Sequence, residues 1–302
     1  MAVPGVVVNL DVYLSQRRAE VERALERFLP TPEGPGATIT RAMRYAVQAG
    51  GKRLRPILAL TACDVCGGSS SAVQAPAVAL ELIHTYSLIH DDLPAMDDDD
   101  LRRGKPTVHK AFGEAEAILA GDALNTLAFE LLANHPEGEL YATRRTRAVS
   151  LVARRSGIDG MVGGQIADLE AENGAADEQR LHWIHRHKTA ALLSASSELG
   201  AIHAGADDGA CAAFSDYGRQ LGLAFQIADD ILDCTSTATD LGKTPGKDRH
   251  VGKLTFPALY GIDGSRERAL DAVQRALESL ERVGALDERL EALARFSVER
   301  AG

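Results

Sequence analysis

Cysteine is scarce in this 302-residue chain, with four residues at positions 63, 66, 211 and 234. So few in so long a chain do not make a disulfide framework, and a reducing compartment is the simpler setting. Cys63 and Cys66 form a C-x-x-C, but within the apolar run PILALTACDVCGG and without a second pair at zinc-site spacing. Buried helical cysteines are therefore expected. Long apolar runs are missing as well: none approaches the roughly 18 residues of a membrane helix. MAVPGVVVNL has no basic leader and is broken by Pro4, unlike a signal peptide, so a cytoplasmic protein is expected. Alternating strand patterns are absent, and Val6 to Val8 is the one run of valines. Nor is there an excess of basic charge: 33 Lys and Arg face 43 Asp and Glu, a formal net charge of −10 that disfavours general nucleic-acid binding. At 45% apolar and 25% charged residues the composition excludes disorder and collagen-like sequence.

What is present is helical periodicity almost throughout. VYLSQRRAEVERALERFL carries Val12, Leu14, Val21, Leu25 and Leu29 with charges between them, the last four at intervals of seven, four and four that keep to one helix face. Pro56 is expected to open a helix as its first residue, closed by Gly67-Gly68. AVQAPAVALELIHTYSLIHDD reads as a buried helix, and further helices are expected near 114–134, 142–158, 178–204, 210–233, 253–261, 264–283 and 287–300. The breaks NHPEGE, AENGAADEQ and HAGADDGA do not read as interdomain linkers, so one all-α domain over residues 1–302 is expected.

The negative charge is local. Positions 91–100 (DDLPAMDDDD) hold six Asp and 229–233 (DDILD) three more; outside these nine, 34 acids face 33 bases. Asp229 and Asp233 are four apart, about 40° around a helix and roughly 6 Å along it, so both carboxylates face one way. Asp91 and Asp97 would sit about 120° apart on a regular helix and can share a cavity only if the backbone bends, for which Pro94 is the reason. Carboxylates so close must be protonated, separated or bound to cations. Oxygen donors without Cys or His select Mg²⁺ or a similar ion, which commonly bridges a few carboxylates to phosphates. A calcium loop fails, because reading from Asp97 the third ligand position is Leu101 and the turn glycine is Arg102.

Cations flank both clusters. GGKRLRP places Lys52 and Arg55 at a helix start, where free N–H groups favour anions. Arg102 and Arg103 follow the first cluster, Lys188 lies in HRHKT, and Lys243, Lys247 and Lys253 follow the second. This alternation is typical of Mg²⁺-diphosphate binding. LGKT at 241–244 is not a P-loop, since Thr237 stands where the first Gly is needed. His182, His185 and His187 do not share one face, which argues against zinc, and Trp183 beside them reads as packing.

GGKRLRP, HTYSLIHDDLPAMDDDDLRRGKPTVHKAFGEAEAILAGDAL, HRHKT, FQIADDILD and GKTPGKDRHVGKLTFPAL, in this order, resemble the trans-prenyl diphosphate synthases, and within them the bacterial farnesyl type. The resemblance spans about residues 10–300. It implies an all-α isoprenoid synthase fold, a helical bundle around a deep central apolar cavity, working as a homodimer. It also implies that Asp91, Asp92 and Asp97, with Asp229, Asp230 and Asp233, hold Mg²⁺, three ions when substrate is bound. These would grip an allylic diphosphate with help from Arg102, Lys188, Lys243 and Lys253. Lys52, Arg55, His84 and Arg103 then correspond to the isopentenyl diphosphate site, and Thr189 and Gln226 line the reacting carbons. Tyr86, with Ser87 beside it, corresponds to the floor that stops chain growth at C15. The implied reaction is Mg²⁺-dependent 1'-4 condensation of isopentenyl diphosphate with allylic diphosphates. Geranylgeranyl (C20) synthesis is the alternative, and a non-catalytic regulatory or lipid-binding subunit a remote one, which both intact clusters disfavour. A terpene cyclase would carry an Asn/Ser/Glu metal motif in place of DDILD.

Overall fold

The computed structural model describes residues 9–171, 177–235 and 254–299. Val6 to Val8, Lys243, Lys247, Lys253 and the LGKT segment lie outside them. Asn9 accepts a hydrogen bond from Val12 N–H (3.1 Å) and so caps α1 (Leu10–Phe28), which buries Val21, Ala24 and Leu25 at helical spacing. There follow α2 (Ala37–Val47), α3 (Leu54–Val65) and α4 (Ser70–Asp91). Strands β1 (Leu101–Arg102) and β2 (Lys105–Pro106) form a two-residue antiparallel pair, Arg102 opposite Lys105. Next come α5 (Val108–Phe112), α6 (Glu114–Asn134), α7 (Ala142–Ser156) and α8 (Met161–Ala171). Then α9 (Glu178–Ile184) runs through a π-helical turn, His185–Ala190, into α10 (Ala191–Ala204). The series ends with α11 (Asp208–Thr235), α12 (Phe256–Glu281) and α13 (Glu288–Glu299).

Helix α4 packs on α3, α6 and α10, and α11 packs on α10 and α12. Both α4 and α10 are apolar on nearly all sides, and both are buried along most of their length. Leu58, Ile83, Leu124, Leu192 and Phe214 meet in one core, with Tyr217 donating its hydroxyl to Leu290 O (2.7 Å) to seat α13. The all-α expectation holds. No helix among the described residues is long and apolar enough to cross a membrane. Cys63 and Cys211 are buried and Cys66 and Cys234 half-buried; burial pushes the Cys63 thiol up to about 12 and that of Cys66 up to about 11.

Several boundaries differ from the periodicity. Helix α3 starts at Leu54, with Arg53 as its N-cap in the left-handed region (φ 53°), so Pro56 is the third helical residue and not the first. The displacement is tolerated because the first intrahelical bond is Ile57 N–H to Arg53 O (3.1 Å) and Pro56 needs no donor there. Helix α8 was not expected: MVGGQIADLEA carries two glycines and little amphipathic contrast. The 178–204 stretch is broken by the π turn, and 253–261 and 264–283 join across a kink at Gly261 (φ 70°). The β1–β2 hairpin was also missed, because its strands are too short to show alternation. Its two loop residues, Arg103 (φ 53°) and Gly104 (φ 74°), both lie in the left-handed region, as a tight hairpin turn requires.

Candidate active site

Helix α4 stops at Asp91, and the chain then curls so that Asp97 N–H bonds to Asp91 O (2.8 Å) and Asp99 N–H to Asp92 O (3.2 Å). The bend anticipated at Pro94 is therefore present. Thr107 closes the acidic loop by donating its hydroxyl to Asp99 O (2.7 Å), and His109 Nδ1 lies 3.1 Å from that hydroxyl. Asp91 stays half-buried. Burial is the main reason its carboxyl is pushed up to about 6; Lys188 opposes this and Asp97 adds to it. Asp92 is buried and is clasped by Arg102, whose Nε lies 2.7 and 2.8 Å from its two oxygens. Thus Arg102, anticipated as a diphosphate ligand, has its guanidinium engaged with Asp92 (Nη2 to Oδ1, 2.5 Å).

The second cluster ends α11 in the same way. Asp229 is half-buried and Asp233 exposed, whereas Asp230 is buried. Gln226 Nε2 donates to Asp230 Oδ1 (3.0 Å) and Phe256 N–H donates to Oδ2 (3.0 Å). Burial nonetheless pushes Asp230 up to about 7; these hydrogen bonds act against the rise, and Asp229 and Asp233 reinforce it. His185 Nε2 stands 3.6 Å from Asp230 Oδ2, stacked on Phe256, with burial holding the imidazole down at about 3 and hence neutral. In each Asp pair the second carboxylate is thus tied to its own chain.

The π turn carries Lys188 and Thr189 to the same place. Lys188 Nζ pairs with Asp168 Oδ2 (2.6 Å) on α8, and Thr189 donates its hydroxyl to Gln226 Oε1 (2.6 Å). A π turn places one extra residue in the helix and is frequent at functional sites. Asp168 escaped the sequence reading because α8 did; a carboxylate one turn after GG, in GGQIAD, was the available signal.

The third group surrounds His84 on α4. Burial and the charges of Arg55, Arg103, Arg102 and Arg53 drive the His84 imidazole well below its usual range, so it is neutral. Arg103 Nη1 donates to Gly50 O from the hairpin turn. Its guanidinium lies where a Cβ on Gly51 would stand, 2.7 Å from Nη1, and Gly51 has φ 137°, a conformation that favours glycine. Arg55 Nε is buried without a hydrogen-bond partner. Burial draws this guanidinium down to about 10; Glu81 raises it, Arg103 lowers it and Asp229 raises it. Lys52 Nζ lies 5.7 Å from the centre of the Phe225 ring, next to Gln226. Of the anticipated cations, Arg55 and Arg103 thus act on His84, while Lys52 reaches Phe225 on α11.

Tyr86 lies half-buried against the core, edge-on to His90 (ring centres 5.7 Å apart, 73°), while Ser87 donates its hydroxyl to His84 O (2.9 Å) in its own helix. Among the described residues no three carboxylate, imidazole or thiol groups form a ready-made metal cage. The donors nevertheless fit a hard divalent ion. They are oxygen only, and burial pushes Asp91 up to about 6 and Asp230 up to about 7, each reinforced by the other carboxylates of its own cluster. Mg²⁺ usually takes one or two carboxylates and completes its shell with phosphate and water, which needs no such cage.

The sequence profile described as Polyprenyl synthetase matches residues 37–292. A farnesyl diphosphate synthase of Escherichia coli (strain K12) is 46% identical over 286 residues, 93% of this chain and 95% of that one. Geranylgeranyl pyrophosphate synthase 11, chloroplastic, of Arabidopsis thaliana is 47% identical, over 89% of this chain and 75% of that one. A crystal structure of an FPP/GFPP synthase from Zymomonas mobilis superposes with a TM-score of 0.86 at 40% identity, covering 97% of this chain and 100% of that one. The chain belongs to the polyprenyl synthetase family. The resemblance carried by the five ordered motifs is thereby borne out.

Proposed function

We propose that the whole chain acts as one prenyltransferase domain, a trans-prenyl diphosphate synthase that condenses isopentenyl diphosphate 1'-4 with dimethylallyl and then geranyl diphosphate, with C15 farnesyl diphosphate as main product. The observation that carries this reading is that Lys188, paired with Asp168, acts on Asp91, Gln226, bonded to Thr189, holds Asp230, and the buried Arg55 feels Asp229, so that both Asp clusters meet cations at one place. Two acid–cation sets provide for two diphosphates. Mg²⁺, held by Asp91, Asp97, Asp229 and Asp233 and most simply as three ions with substrate, supplies positive charge against a departing diphosphate. Asp92 and Asp230 keep the two clusters in place through Arg102, Gln226 and Phe256.

Lys188 stabilises charge on the leaving group as the allylic C–O bond breaks, and Lys243 and Lys253 join it from the segment after α11. Thr189 and Gln226 border the allylic cation, and apolar walls keep water from it. Lys52, Arg55, His84 and Arg103 hold isopentenyl diphosphate so that its double bond meets C1. The attack leaves a tertiary cation at C3 of the isopentenyl unit, and loss of a proton from the adjacent C2 forms the new double bond, with the released diphosphate as the available base. Tyr86 closes the tail channel about 1.4 turns below Asp91, about 7.5 Å along the helix.

The enzyme is read as a cytoplasmic homodimer, for which the exposed Ile118 and Leu119 on α6 offer apolar surface. A C20 product is the second reading, favoured by the 47% identity to a geranylgeranyl pyrophosphate synthase. The test is to incubate pure protein with isopentenyl diphosphate and each allylic starter, with and without EDTA, and size the products. Metal-dependent C15 is expected. Turnover after exhaustive EDTA treatment would refute the metal, and C20 as main product would replace the chain-length reading.

A further inference from the structure

Arg53 lies between Lys52 and Arg55 in sequence, but its side chain turns the opposite way, into the protein. It is 2% exposed, among the most buried of the large side chains. Its guanidinium spans three helices. Nε donates to Glu22 Oε1 on α1 (2.8 Å), Nη1 to Glu81 Oε1 on α4 (2.8 Å) and Nη2 to Val47 O at the end of α2 (2.6 Å). Glu81 is itself 2% exposed and stands one turn before His84. Its charge reaches Arg55 and Arg103 as well as Arg53, so one buried carboxylate is the common counter-ion of three arginines.

An ion pair this deep is not explained by stability alone. Replacing a buried pair with apolar groups of similar volume is often neutral or stabilising. What such a network can give is a single geometry, and here the geometry in question is that of the GGKRLRP turn. Arg53 caps α3 with φ 53°, and Gly50 (φ 89°) and Gly51 (φ 137°) precede it in conformations equally unsuited to ordinary side chains. A turn held this far from the favoured regions persists only where its surroundings over-determine it. The same turn presents Gly50 O to Arg103 and launches Arg55.

We propose that Arg53, through Glu81 and Glu22, is the positioning residue of the Arg55–Arg103 diphosphate subsite, its three-way fork holding the turn that sets both guanidinium groups before substrate arrives. The inference rests on the reading of Arg55 and Arg103 as one diphosphate subsite. Arg53→Lys is the decisive variant, because it keeps the charge and removes only the fork. The KM for isopentenyl diphosphate is expected to rise about tenfold, since misplacement by a fraction of an ångström is enough for that. Its dissociation constant measured by calorimetry without allylic substrate rises alike, while kcat and the KM for geranyl diphosphate stay within about twofold. Glu22→Ala, at the more exposed end of the network, should show the same pattern at about threefold and guards against a misfolded Arg53→Lys.

Arg103→Ala runs beside them as the control for the parent reading. If it raises one substrate KM and the Arg53 and Glu22 variants do not, the positioning role is wrong and the subsite stands. If it moves neither KM, the subsite and the inference fall together. A lower melting temperature with unchanged KM in both variants would make Arg53 a packing residue and overturn the proposal.

Discussion

Gly164→Ala tests whether the active-site lysine depends on close backbone packing behind it. Gly164 lies on α8 against the π turn. A Cβ there would stand 2.6 Å from Lys188 Cα and 2.8 Å from the His187 carbonyl carbon, and closer still to the Lys188 nitrogen. These are backbone atoms that no rotamer change can move aside. Reaching an ordinary contact of 3.4 Å from 2.6 Å requires the two elements to part by at least 0.8 Å. The same face carries Asp168 to Lys188 Nζ at 2.6 Å, and Thr189 follows directly. Overpacking of this kind destabilises by about 1–3 kcal/mol. Displacement near 1 Å at a reacting site can lower turnover by about 100-fold. The expected variant is therefore folded, a few degrees less stable and slower by one to two orders of magnitude in kcat. Steady-state diphosphate release with isopentenyl and geranyl diphosphates measures the rate, and calorimetry the stability. Gly209→Ala, whose new Cβ would meet only the Asp207 carboxylate at 3.3 Å, is the control. Wild-type kcat in Gly164→Ala would refute the reasoning, because the π turn would then tolerate displacement without loss of catalysis.

Tyr86→Ala should move the main product from C15 towards C20, since the packed interior admits another isoprene unit only where volume is vacated; a variant still stopping at C15, sized by chromatography, would remove Tyr86 as the floor. Lys188→Ala should lower the single-turnover rate by about 100-fold or more while leaving the KM for isopentenyl diphosphate nearly unchanged, and a pure KM effect would contradict its role at the leaving group. His203→Leu carries the pH prediction. His203 is buried on α10 with both ring nitrogens unpartnered, and burial, reinforced by Arg144, holds it down at about 4. The unfolded chain therefore binds this proton first, so the contribution is intact above about 6.5 and is lost as pH falls towards 4, to a total of roughly 3 kcal/mol. The leucine variant should lack that slope and gain on the wild type as pH drops from 7.5 to 5; a constant difference in urea midpoints would refute it.

Much of this site could be read in one dimension because its chemistry resides in helix ends. A run such as FQIADDILD states at once that apolar spacing ends in carboxylates, and four-residue spacing aligns Asp229 with Asp233. The bend after Asp91 was legible for a similar reason, since Pro94 cannot continue a helix. By contrast α8, the hairpin and the π turn left little trace. MVGGQIADLEA has glycines where a helix would favour alanine, and its stability comes from packing against the π turn, which periodicity does not register. Pro56 misled by two residues because Arg53 ends the preceding turn in a left-handed conformation that only its buried partners justify.

Residue types and local spacing by themselves determined the helical class, the two carboxylate clusters and the cations destined to meet them. Only the tertiary structure decided which member of each set faces the site. Asp92 and Asp230 are drawn inward by Arg102, Gln226 and the Phe256 amide, while Asp91 and Asp229 are left half-buried. Arg53 turns into the core and Arg103 outward, although a sequence shows both as arginine beside arginine or lysine. The physical reason is that a charged side chain is buried only where partners from distant helices converge on it, and that convergence is a property of the packed chain, not of neighbouring residues.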